Sequence, residues 1–121
     1  MNRIDHIHEA ELALQAAGLN EIHRVHPRIV DQCKCPQLSV AISKDMIMPV
    51  AVLTDEYRDA KDLAKWFGSW MAQGRDGILV HVSEHLGKIR WKPASKAWTG
   101  VYGWRHMHEL PKWISEVADA A

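Results

Sequence analysis

Residues 77–106 read GILVHVSEHLGKIRWKPASKAWTGVYGWRH, and the fold turns on how this stretch divides. Gly77 to Val82 is a continuous apolar run rich in β-branched residues, suited to a central strand. Two shorter extended runs follow, Lys88 to Lys92 and Ala97 to Trp104. Pro93-Ala94-Ser95-Lys96 lies between them, which predicts a hairpin with a four-residue loop. The fold is therefore expected to end in three successive strands before a last helix.

Upstream of this stretch lies the strongest helical pattern in the chain. Thr54 is a good N-cap, and Asp55 and Glu56 put negative charge in the first turn, where the helix dipole favours it. Ala60, Leu63, Ala64, Phe67, Trp70 and Met71 then form one apolar stripe, and Gly74 supplies the stop. Before it, Leu38, Val40 and Ile42 alternate with Ser39, Ala41 and Ser43, the period of a half-buried strand. A turn at Lys44-Asp45 leads into the apolar run Met46 to Leu53. Pro49 lacks a backbone donor, so this second strand is expected at an edge or a bulge.

The segment Leu19 to Gln37 keeps no clear period and is broken by Pro27 and Pro36. It is expected to be a loop with a short edge strand around Arg28 to Val30. Asp5 to Ala17 reads as a first helix stopped by Gly18, and Leu110 to Ala120 as a last one with Pro111 in its first turn. The order is α-β-β-α-β-β-β-α. It predicts an α+β fold, a mostly antiparallel sheet of about five strands covered by helices on one face.

A chain of 121 residues is long enough for one core, and no linker-like tract divides it, so a single domain over residues 1–121 is expected. Lys plus Arg and Asp plus Glu balance at 15 each, so no global field draws the protein to nucleic acid or membranes. The N-terminal stretch carries acids inside its apolar pattern, unlike a signal peptide or a membrane span. Two cysteines only two positions apart make a poor disulfide framework, and a reducing, cytoplasmic setting is expected.

Within Gly87–His106 lie three of the six tryptophans, five Lys or Arg residues and no carboxylate. If the second run is a strand, Trp98, Tyr102 and Trp104 share one face, with Arg105 on the other. In the first run, Trp91 opposes Lys88, Arg90 and Lys92, and Lys96 sits in the turn. Aromatic platforms beside cations are what single-stranded nucleic-acid binders use, and Trp, Tyr and Arg also dominate protein–protein hot spots. The competing expectation is structural: the aromatics pack beneath the helices, and the cations form an ordinary solvated face.

His23, His26, Cys33 and Cys35 place four zinc-type ligands in the least regular part of the chain, a candidate structural zinc site. The Cys-x-Cys spacing is tighter than usual, and Pro27 separates the pairs. His-x-His-Glu occurs at His6–Glu9 and again at His106–Glu109, and His81, Glu84 and His85 form another grouping at a strand end. The sequence lacks a nucleophile elbow, a phosphate-binding glycine loop, a dinucleotide fingerprint and a His-Glu-x-x-His helix. The expected function is therefore a non-catalytic binding or regulatory protein, an adaptor or inhibitor, that meets a protein or nucleoprotein partner through residues 87–106. Nucleic acid is the other partner class considered, and six tryptophans in so small a chain favour some self-association into a homodimer. The alternative is a metal-dependent hydrolase built on His81 and His85 with His106 or His108.

Overall fold

The computed structural model describes residues 5–19, 21–24, 37–43, 46–55, 76–99 and 102–120. Helix α1 spans His6–Ala16. The strands are β1 (Ile22–Arg24), β2 (Gln37–Ser43), β3 (Met46–Leu53), β4 (Ile78–Ser83), β5 (Lys88–Pro93) and β6 (Arg105–His106). Helix α2 spans Leu110–Ala120, and 3-10 turns cover Ala94–Thr99 and Met107–Glu109. The fold is α+β, as the sequence predicts. Its six-stranded sheet runs in the order β1-β2-β3-β4-β5-β6 and is antiparallel except between β3 and β4.

Local chemistry explains the ends of α1. The Asp5 carboxylate accepts from the His8 backbone N–H at 3.1 Å, capping the helix start. At the other end Gly18 takes φ +96°, donating to the Gln15 carbonyl while Leu19 donates to the Leu14 carbonyl. That pair of bonds is a Schellman stop, which needs a left-handed residue just beyond the helix. Leu19 then packs on the core.

The sheet has two unlike faces. On one, Leu38, Val50, Val52, Ile78, Val80 and Trp91 are buried against Ala10 and Leu14 of α1 and Leu110 and Ile114 of α2. Burying an aliphatic side chain of this size stabilises by about 1.5–3 kcal/mol, so this is the main core. On the other face Ala51, Leu53 and Leu79 are also buried, and His81, Ser83 and Lys92 lie beside them. Alternation along β4 produces this split: Ile78, Val80 and Val82 face the described helices, and Leu79, His81 and Ser83 face away.

Two local expectations need correction. Pro49 is not on an edge strand, since β3 lies between β2 and β4. The β4 ladder begins only at Val50, so the proline stands where that flank is unpaired and its missing N–H is tolerated. An edge strand does occur between α1 and β2, at Ile22–Arg24. The expected position, Arg28 to Val30, lies outside the described residues.

The hairpin is the second. Among the described residues, 97–99 lie in a 3-10 turn and 102–104 in no strand; the pairing is Arg90 with His106 and Trp91 with Arg105. The cause sits at the end of β5. The Ala94 N–H donates to the Gly77 carbonyl at 2.8 Å, and the Ser95 N–H and hydroxyl both donate to the Asp76 carboxylate, at 3.0 and 2.7 Å. These bonds wind the chain into a 3-10 turn in place of a tight hairpin loop.

The parallel pairing of β3 and β4 obliges the chain to cross over between them, a connection of about a dozen residues or more. The helix predicted at Thr54–Gly74 falls in that connection, and residues 56–75 lie outside the described residues. Among the described residues no helix is long and apolar enough to cross a membrane.

Candidate binding site

β4 and β5 carry the site on the face turned away from α1 and α2. Register sets His81 opposite Arg90 and Leu79 opposite Lys92, and on the far side β3 brings Leu53 beside His81. Asp55, just past the end of β3, therefore reaches the histidine: its Oδ1 lies 3.0 Å from His81 Nε2. Arg90 Nε lies 3.1 Å from His81 Nδ1. A guanidinium can only donate, so Nδ1 is the bare nitrogen and the His81 proton sits on Nε2, donated to Asp55.

The carboxylate is itself held. The His85 backbone N–H donates to Asp55 Oδ2 at 3.1 Å. This bond and a hydrogen bond from Ser83, helped less by the His81 contact, hold the Asp55 carboxyl down at about 2 against the opposing effect of burial. The Ser83 hydroxyl also accepts from the Leu86 N–H at 3.0 Å, fixing the β4–β5 turn. Serine, aspartate, histidine and arginine thus form one chain, with His81 buried to 7% exposure.

Trp104 closes over this row. Its ring centroid lies 5.3 Å from that of His81, 5.0 Å from the Arg90 guanidinium carbon and 4.3 Å from Lys92 Nζ. Both cations come from alternate positions of β5, so the indole lies across them, the arrangement of a cation–π contact. Lys92 Nζ donates to the Tyr102 carbonyl at 3.2 Å. Burial, with Arg90 as a lesser cause, pushes the Lys92 ammonium down to about 8. Gly103 between the two aromatics has φ +82°. That left-handed residue breaks strand alternation and lets Tyr102 turn outward while Trp104 folds back.

The sequence candidates therefore separate. Trp91 is fully buried on the core face, 5.3 Å from Trp113, and its Nε1 donates to the His106 carbonyl at 2.8 Å. Arg105 lies over the Trp91 ring at 5.3 Å. Lys92, expected on a solvated face, is only 1% exposed, because it sits opposite buried Leu79 with Trp104 above it. Lys88, Lys96 and Tyr102 are exposed, Tyr102 at 78%. Arg90 and Trp104 are half-buried. Trp98 falls in the Ala94–Thr99 turn, and its side chain lies outside the described residues.

The histidine groupings fare differently. His106 and His108 stack at 5.5 Å with rings 14° apart, because the chain bends into a 3-10 turn at Met107. The Glu109 carboxylate accepts from the His106 N–H at 2.9 Å. His6 pairs with Glu84 at 3.4 Å, linking α1 to the β4–β5 turn. His23 is exposed on β1, and His26, Cys33 and Cys35 lie outside the described residues. Among the described residues no three His, Cys, Asp or Glu side chains are grouped to hold a metal.

The role of Asp55 is not legible in the local pattern, where a helix dipole accounts for it; only the β3–β4 register shows that it faces His81. Compared with protein-family models, curated proteins and solved structures, the chain has no match.

Proposed function

We propose that the protein is a non-catalytic binding or regulatory protein, an adaptor or inhibitor, that engages a protein or nucleoprotein partner through Tyr102, Trp104 and Arg90. The observation that carries this is Tyr102, 78% exposed beside a tryptophan stacked on two cations. An exposed aromatic next to a braced aromatic and an arginine is the composition of an interface hot spot. Lys88, at the start of β5, and Lys96, beyond its end, are exposed, and exposed charge steers encounter more than it adds affinity.

The hydrolase alternative draws less support from the same geometry. A metal-dependent hydrolase needs an imidazole nitrogen turned to the metal, and His81 has one committed to Asp55 and the other to Arg90. Ser83 gives its proton to Asp55 and accepts from Leu86, so it is not poised as a nucleophile.

A photo-cross-linking residue placed at Tyr102, and separately at Lys112 on α2, tests the proposal in cells that express the protein. The expected result is one discrete adduct from position 102, lost when Trp104→Ala is added, and none from position 112. Equal adducts at both positions, or none at 102, would overturn it. An adduct with a second copy of this chain would assign the surface to self-association instead.

A further inference from the structure

Arg90 is held in place by a bond that uses little of its donor capacity. A guanidinium carries five N–H donors in one plane. The Nε donor goes to His81, and among the described residues the terminal N–H groups of Arg90 have no protein acceptor. The planar group rests beside the Trp104 ring at 5.0 Å, and the residue is half-buried, so its outer edge meets solvent. Behind it the chain Arg90–His81–Asp55 is closed by the His85 N–H and the Ser83 hydroxyl. The fork is oriented before any ligand arrives, so little side-chain entropy remains to be lost on binding.

We infer that Arg90 is a preorganised oxyanion receptor, and that its ligand is a carboxylate on an acidic segment of a protein partner. The inference rests on the partner-binding role proposed for this surface and names what the partner must present. Two parallel N–H groups match the two oxygens of a carboxylate, a geometry that a lysine cannot offer. Tyr102 would cover the apolar part of the same segment.

Charge distribution selects a carboxylate over a nucleic-acid backbone. The chain carries no net charge. Of the cations in the segment, Lys92 is buried and turned to the Tyr102 carbonyl and Arg105 is stacked on Trp91, so that only Lys88 and Lys96 are exposed besides the fork. A strand of phosphates is held by many cations and released steeply by salt. A single oriented fork suits a single acidic side chain.

The test is an NMR titration of the full chain with a capped hexaglutamate peptide, following the Arg90 Nε–H and Trp104 indole resonances. A saturable shift is expected, at least tenfold weaker in Arg90→Lys, which keeps the charge and loses the fork. His81→Gln leaves the ligand-binding group intact and loosens its hold, and should weaken the titration at least threefold. Lys112→Gln on α2 should stay within twofold of the parent. Absence of a saturable shift, or equal affinity in Arg90→Lys, would overturn the inference. Tighter binding of hexathymidylate, with steep loss in salt, would overturn the carboxylate assignment in favour of nucleic acid. The two proposals fail separately. If the Tyr102 adduct forms while hexaglutamate does not bind, only the oxyanion receptor falls. If hexaglutamate binds through Arg90 while no adduct forms, only the partner role falls.

Discussion

Asp55 is the residue on which the polar row depends, because it alone among the row supplies a negative charge. Its carboxyl is depressed from 3.8 to about 2, so the folded state favours the ionised form more than the unfolded chain does. The resulting stabilisation is complete above the unfolded value and is lost as pH falls through the folded one. Urea midpoints of the parent and of Asp55→Asn should therefore differ by a constant amount from neutral pH down to about pH 5. The gap should then close towards pH 2. A gap that persists unchanged to the lowest pH would show that the carboxylate charge is not what the row uses. Lys92 has the opposite sign of effect. Its ammonium is depressed to about 8, so it weakens the fold at neutral pH and that penalty fades as pH rises from 8. The cation–π contact with Trp104 and the bond to Tyr102 offset part of that penalty.

The segment between β5 and α2 departs from its expected strand while its neighbours keep theirs. Strands β2, β3, β4 and β5 follow from alternation or from continuous β-branched runs, and the structure places them within a residue or so of the expected bounds. Helices α1 and α2 follow from their caps and apolar periods. Residues 97–104 also alternate, Trp with Gly and Tyr, but alternation there is cancelled by two non-local facts. Asp76, distant in sequence, captures Ser95 and winds the chain. Gly103 then takes a positive φ that no strand uses. Neither is encoded in a local period, since one needs the β4–β5 register and the other a single backbone angle. The face assignment of Trp91 against Arg90 did follow from period two, whereas the burial of Lys92 did not, because it requires Trp104 to fold back. Gly103→Ala tests this element. An L-residue in the left-handed region costs about 1–2 kcal/mol, so the variant should melt several degrees lower. The Trp104 ring should also lose its contact with Lys92, read as a return of the lysine ammonium towards its ordinary titration. A variant with unchanged melting and unchanged Lys92 titration would contradict the role given to this glycine.

For the molecule as a whole, the sheet acts as a partition. Its one face is an apolar core closed by α1 and α2, as the alternation in β2 foretells. Its other face carries a histidine, a serine, an arginine and a lysine on the same strands, and there the sequence offered two expectations, core or contact surface. Burial divides the aromatics of the segment: Trp91 belongs to the core on the first face, and Tyr102 is exposed. The sheet thus parts Trp91 from Trp104, with Trp104 on the face proposed above to meet a partner. Fluorine NMR of the protein labelled with 5-fluorotryptophan, assigned by Trp→Phe variants and exposed to a soluble gadolinium chelate, tests it most directly. Trp104 should broaden with the chelate and shift in Arg90→Lys, while Trp91 should do neither. Broadening of Trp91 comparable to that of Trp104, or a Trp104 signal indifferent to both, would contradict the account.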